Sequence, residues 1–102
     1  MKVVFHIDEM DKWALLSQNI TNLAEKDPNV TISVVVNADA VNYFQNNEAI
    51  DLNPKAKYHL CNNSLKQRGI DQTIVNDRVV VVKTGVYEIA LLQSLGYHYI
   101  KP

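Results

Sequence analysis

The most reactive side chain in this 102-residue sequence belongs to its single cysteine, Cys61. A thiol attacks as its thiolate. An ordinary cysteine, with a pKa of about 8.5, is only a few per cent ionised near neutrality, whereas one facing the free amides of a helix N-terminus falls to about 3.5–7.5. The residues around Cys61 have the types needed for that arrangement. Lys57 to Cys61 reads as a strand and Asn62 to Arg68 as a helix, which Gly69 can end because glycine accepts the left-handed conformation. Asn62, Asn63 and Ser64 would then offer backbone amides and side-chain hydrogen bonds to a sulfur anion. His59 stands two residues before Cys61, on the same strand face, where it could favour the charged thiol. The opposing reading is that Cys61 is a small buried hydrophobe, as free cysteines most often are, and that His59 is structural. Lys66 and Arg68 read as solvent-facing charges.

Other chemistries find less support. Phosphate binding in an α/β architecture needs glycines or hydroxyls whose amides crowd an anion. The loop after the first strand is instead Asp8-Glu9-Met10-Asp11, three carboxylates in four residues, which would repel the phosphate of a flavin or dinucleotide. No cofactor is expected. The same acids read as helix-capping and first-turn charges favoured by the macrodipole rather than as a cation site, and no Cys and His spacing resembles a zinc site. No metal is expected either. No Ser, His and Asp constellation stands out, and nothing places a second catalytic group beside the thiol.

The elements that must position these residues alternate along the chain. Val3 to Ile7 and Val30 to Val36 read as central strands, the second with three consecutive valines that suit burial on both faces. Between them Trp13, Leu16, Ile20, Leu23 and Ala24 recur at helical spacing, with Asp11 as a candidate N-cap and Asp27-Pro28-Asn29 as a stop. Asn37-Ala38-Asp39 reads as a turn into a short helix over Ala40 to Phe44, and Gln45 to Pro54 as a loop. After the Cys61 segment, Ile74 begins a small edge element and Arg78 to Val82 is a fourth core strand. Val86 to Leu95 is a helix ended by Gly96, and Tyr97 to Ile100 is a last strand. The order predicts a single α/β domain over residues 1–102, a three-layer α/β/α sandwich of flavodoxin-like type on a mostly parallel five-stranded sheet. In such folds reactive groups gather at the carboxyl ends of the strands: Asp8 to Asp11, Asn37 to Asp39, Cys61 to Ser64 and Lys83 to Gly85.

Composition narrows the partners. Ten basic and eleven acidic residues leave a formal charge of −1, which gives no long-range field toward nucleic acid or an anionic membrane. Hydrophobic residues make up 47% of the chain, enough for a core without staples. One cysteine cannot form an internal disulfide, and Met1-Lys2-Val3-Val4-Phe5-His6-Ile7-Asp8 introduces charge too early for a signal peptide or a membrane span. A cytoplasmic location is expected.

Four stretches together resemble the DsrE/DsrF-like proteins. They are Lys2 to Asp8, Asn19 to Leu23, Cys61-Asn62-Asn63-Ser64-Leu65-Lys66-Gln67-Arg68-Gly69-Ile70, and Gly85 to Ala90 continuing through Leu95 to Ile100. The Cys-x-x-x-Leu-x-x-Arg-Gly-Ile pattern is the most specific of them. In the sulfur-relay members of that family a cysteine at the start of such a helix carries sulfur as a persulfide, so the resemblance implies Cys61 as the carrier. It also implies a homo-oligomer, a trimer or hexamer, and donor and acceptor proteins for the sulfur. The chain looks most like the short stand-alone members. It departs from the pattern at Lys83-Thr84-Gly85, where a proline or small residue would stand beside the glycine, and at Asn37-Ala38-Asp39, which lacks an expected glycine. The resulting expectation is an intracellular sulfur-trafficking protein that receives persulfide sulfur on Cys61 and passes it to a partner thiol. The alternative is an oligomeric binding or scaffold module in which Cys61 is packed and inert. Whether the chain is an enzyme is left open, with sulfur transfer the activity it would have.

Overall fold

The computed structural model describes residues 1–45, 51–73 and 76–102. Five strands pair in parallel throughout: β1 (Lys2–Ile7), β2 (Thr31–Val36), β3 (Ala56–Cys61), β4 (Val79–Val82) and β5 (His98–Ile100), in the spatial order β4-β3-β2-β1-β5. The α/β sandwich expected from the sequence is therefore present, and every strand pairing among the described residues is parallel. The element expected at Ile74 lies outside the described residues.

Strand alternation sorts the side chains onto two unequal faces. The first face carries Val3, Phe5, Ile7, Ile32, Val34, Val36, Tyr58 and Leu60. It packs under α1 (Trp13–Lys26), a 3-10 helix (Ala38–Phe44) and α2 (Asn62–Gln67), through Trp13, Leu16, Ile20, Val41, Phe44 and Leu65. The opposite face presents Val4, His6, Ser33, Val35, His59 and Cys61. Its cover is α3 (Gly85–Ser94), which returns from β4 across the sheet to β5 and buries Gly85 and Leu92, the latter against Val4 and Val35 with Ile89 and Tyr97 alongside.

Three sequence expectations are corrected. The four valines of β4 form the edge strand of the described sheet and are half-buried throughout, because among the described residues nothing pairs with its outer side. Asp11 does not cap α1; it sits within a 3-10 turn (Met10–Lys12), and the position before α1 is Lys12, with no side-chain cap. Arg68 does not simply face solvent. Its guanidinium donates to Asp39 Oδ1 at 2.8 Å and to the Ser64 carbonyl at 3.2 Å, tying α2 to the 3-10 helix. The expected glycine stops hold: Gly69 has φ 64° and Gly96 φ 94°, both left-handed. Among the described residues no helix is long and apolar enough to cross a membrane.

Candidate functional site

The strand order shows why the end of β3 is the place for chemistry. β3 and β4 are neighbours, with Cys61 level with Val82, yet the chain leaves β3 toward the first face and leaves β4 toward the second. Where adjacent connections diverge, a crevice opens at the carboxyl ends of the strands. Cys61 occupies that crevice as the residue that precedes α2, in extended conformation with φ −72° and ψ 114°.

Cys61 is 5% exposed. Burial pushes its pKa up. The Ser64 hydroxyl opposes that, followed by the backbone N–H groups of Gly85, Ser64 and Asn63, and together they hold the thiol below its ordinary value. Of the expected supporting residues, Ser64 and Asn63 thus help to lower the thiol pKa. Ser64 is buried at 7% exposure, and Asn63 contributes its amide while its side chain is exposed. Asn62 is half-buried, and its Oδ1 has no hydrogen-bond partner among the described residues.

Ser64 is held by a feature on another loop. The Ala38 N–H donates to Ser64 Oγ at 2.8 Å, so the oxygen is engaged as an acceptor and the hydroxyl hydrogen stays available for a further partner. Ala38 reaches this position with φ 50°, a left-handed conformation that costs a non-glycine residue about 1–2 kcal/mol. It falls in the Asn37-Ala38-Asp39 turn, where the sequence led to an expectation of glycine.

His59 does not partner the sulfur. Its Nδ1 lies 2.8 Å from Glu88 Oε2 of α3, a close contact that is an ion pair only when the ring is protonated, and Nε2 has no hydrogen-bond partner among the described residues. Burial pushes His59 below its ordinary pKa, and the Glu88 carboxylate pulls it only part of the way back. Sequence reasoning missed Glu88, Gly85 and Ala38 as contributors. Their loops were among those at the strand ends, but only the β3–β4 adjacency brings the α3 start onto Cys61. A Cβ added at Gly85 would stand 3.4 Å from Cys61 Cβ and 3.2 Å from both Asn37 Cβ and Val35 Cγ1, so a close approach needs glycine there.

A second polar row borders the site. Asn37 Oδ1 lies 2.9 Å from His6 Nε2, and His6 Nδ1 lies 2.7 Å from the Tyr99 hydroxyl, linking β2, β1 and β5. Asp8, first of the acidic loop residues, is held by Lys101 at 2.8 Å; the ammonium hydrogen bond outweighs partial burial and keeps its carboxyl below the usual range. A cavity of about 450 Å³ between Trp13, Tyr43, Tyr58 and Asp51 opens on the other face of the sheet and shares no residue with the Cys61 site.

No family model and no curated protein matches the chain. Among solved structures it is similar to the protein of unknown function MTH1491 from Methanobacterium thermoautotrophicum, with a TM-score of 0.79 and 29% identity over 99% of this chain and 98% of that one. The similarity runs the length of both chains and supports the α/β architecture that brings the β3 and β4 ends together.

Proposed function

We propose that Cys61 is a sulfur carrier: its thiolate takes the outer sulfur of a donor persulfide and passes it to an acceptor thiol. The observation that carries this reading is the seating of Cys61 immediately before α2 with Gly85 of α3 packed against it, where the Ser64 hydroxyl and the Asn63, Ser64 and Gly85 amides lower the pKa of a thiol that burial alone would keep neutral. The resemblance of the Cys61 to Ile70 segment to the sulfur-relay DsrE/DsrF-like proteins points the same way. In the first step the Cys61 thiolate attacks the outer sulfur of R–S–SH; the new S–S bond forms as the old one breaks, and R–S⁻ leaves. In the second, an acceptor thiolate attacks that same sulfur and Cys61 leaves as thiolate, so no external oxidant or reductant is consumed. The donors serve both steps, since a stabilised thiolate is also a better leaving group. A reducing compartment such as the cytoplasm suits this chemistry.

The test is intact mass after incubation with a persulfide donor, alongside the pH dependence of Cys61 alkylation, with Cys61→Ser as the blank. A gain of one sulfur atom on the native protein and an alkylation midpoint below that of an ordinary thiol are expected. A thiol that reacts only after denaturation would sink the proposal.

A second reading has its own support. α3 turns Val86, Tyr87, Leu91 and Leu95 outward, at 71%, 65%, 38% and 55% exposure, and Tyr99 and Ile100 of β5 are also exposed. An apolar surface of this kind marks an interaction site. It fits a homo-oligomer, either as the setting of the carrier or as a scaffold in which Cys61 is inert. Sedimentation of the native chain against Val86→Asp decides on assembly: a smaller species in the variant supports it, and an unchanged monomer in both removes it.

A further inference from the structure

The first turn of α3 packs Gly85 closely against Cys61, yet beyond that glycine it has almost no apolar anchor. Val86 and Tyr87 face outward, at 71% and 65% exposure, and the helix buries its apolar contacts further along, through Ile89 and Leu92. What holds the first turn down is Glu88, three residues after Gly85 and therefore on the same helix face. Its carboxylate lies 2.8 Å from His59 Nδ1, and the two side chains are 16% and 10% exposed. His59 in turn lies two residues before Cys61 on β3, on the same face of the sheet. Gly85, wedged against Val35, Asn37 and Cys61, sits at the other end of that turn.

We propose that Glu88 and His59 are positioning residues whose buried pairing docks the first turn of α3 on β3 and holds the Gly85 amide against the Cys61 sulfur. The inference rests on the Cys61 thiolate reading and adds to it the element that keeps one of the four donors in place. Neither residue touches the sulfur or exchanges a proton with it. Their effect passes through the position of a backbone amide.

Two readouts test this, and neither needs a sulfur donor. Thiolate absorbance is titrated in the native protein and in Glu88→Ala, with Cys61→Ser as the blank, and the hydrogen exchange of the Gly85 amide is followed in the same proteins. The expected result in Glu88→Ala is an upward shift of the thiolate midpoint together with loss of protection at Gly85. Glu88→Gln, which keeps a hydrogen-bonding group of the same length, should fall between it and the native protein in both. If Glu88→Ala does not fold, Glu88→Gln alone must still move the midpoint upward. A folded Glu88→Ala with an unmoved midpoint overturns the proposal, whether or not Gly85 loses protection. Failure of the native protein to gain sulfur would count against the carrier reading and leave these two readouts intact.

Discussion

The two faces of the sheet divide stability from chemistry. The first face is covered by two helices and a 3-10 helix over a continuous apolar layer that includes Phe5, Leu16, Phe44, Leu60 and Leu65, each 2% exposed or less. The second is covered by α3 alone, over Val4 and Val35, and the rest of its surface holds His6, His59 and Cys61 with their partners. Burial of apolar area is what stabilises a domain, at roughly 25 cal/mol per Å². A face with little of it has room for polar groups that would be costly in a core. The lightly covered face is thus where a thiolate is tolerable.

Matched truncations would break that comparison most directly. Leu60→Ala on the first face should lose about 4 kcal/mol in urea unfolding and Leu92→Ala on α3 nearer 2, the upper and lower parts of the range for buried leucines. Equal losses would mean that α3 shares fully in the main core. Ser64→Ala comes next: it leaves the Ala38 N–H without its acceptor, at a cost of about 1–3 kcal/mol, and removes the leading donor to the sulfur. Its thiolate midpoint should rise, and an unchanged midpoint would remove Ser64 from the site.

The pH dependence sharpens the contrast further. His59 has a folded pKa below the 6.5 of the unfolded chain, because burial disfavours the imidazolium. The unfolded state therefore binds more protons in this window, so stability should be full above pH 6.5 and fall as the pH drops from 6.5 toward the folded value. Thermal unfolding of native and His59→Gln proteins across that range would show it; parallel curves would count against it. The smallest effect is expected at Ala38. Ala38→Gly relieves the left-handed strain, loses part of the gain to chain entropy, and should stabilise by less than about 1 kcal/mol. The amide to Ser64 remains, so the thiolate midpoint should stay where it is.

Much of this architecture is legible in the sequence because it rests on local pattern. The β-branched runs at Val3 to Ile7 and Val34 to Val36, the helical spacing of Trp13, Leu16 and Ile20, and the stops at Gly69 and Gly96 each depend on a few neighbouring residues. Cys61 at a strand-to-helix junction is legible for the same reason. The site around it is less so. Gly85 and Glu88 reach Cys61 and His59 only because β4 lies beside β3 while its following helix crosses the opposite face, a fact of strand order that no local pattern encodes. β4 misled for a related reason: four valines look alike in a central strand and at an edge. Arg68 was read as a free charge because its partner, Asp39, lies 29 positions away.

The position of β5 bears on how the chain is made. β1 to β4 join the sheet in the order in which a ribosome releases them, and domains fold largely from the N-terminal side during synthesis. β5 breaks the sequence by seating beside β1, through contacts from Lys2 to Leu95, His6 to Tyr99 and Asp8 to Lys101 that each span 93 residues. Until β5 emerges the edge of β1 stands open, and until α3 emerges the nascent chain holds Cys61 without the Gly85 amide. The sulfur gains its full set of donors only after α3 has emerged, and a fragment ending at Val82 should titrate closer to a free thiol than residues 1–102 do.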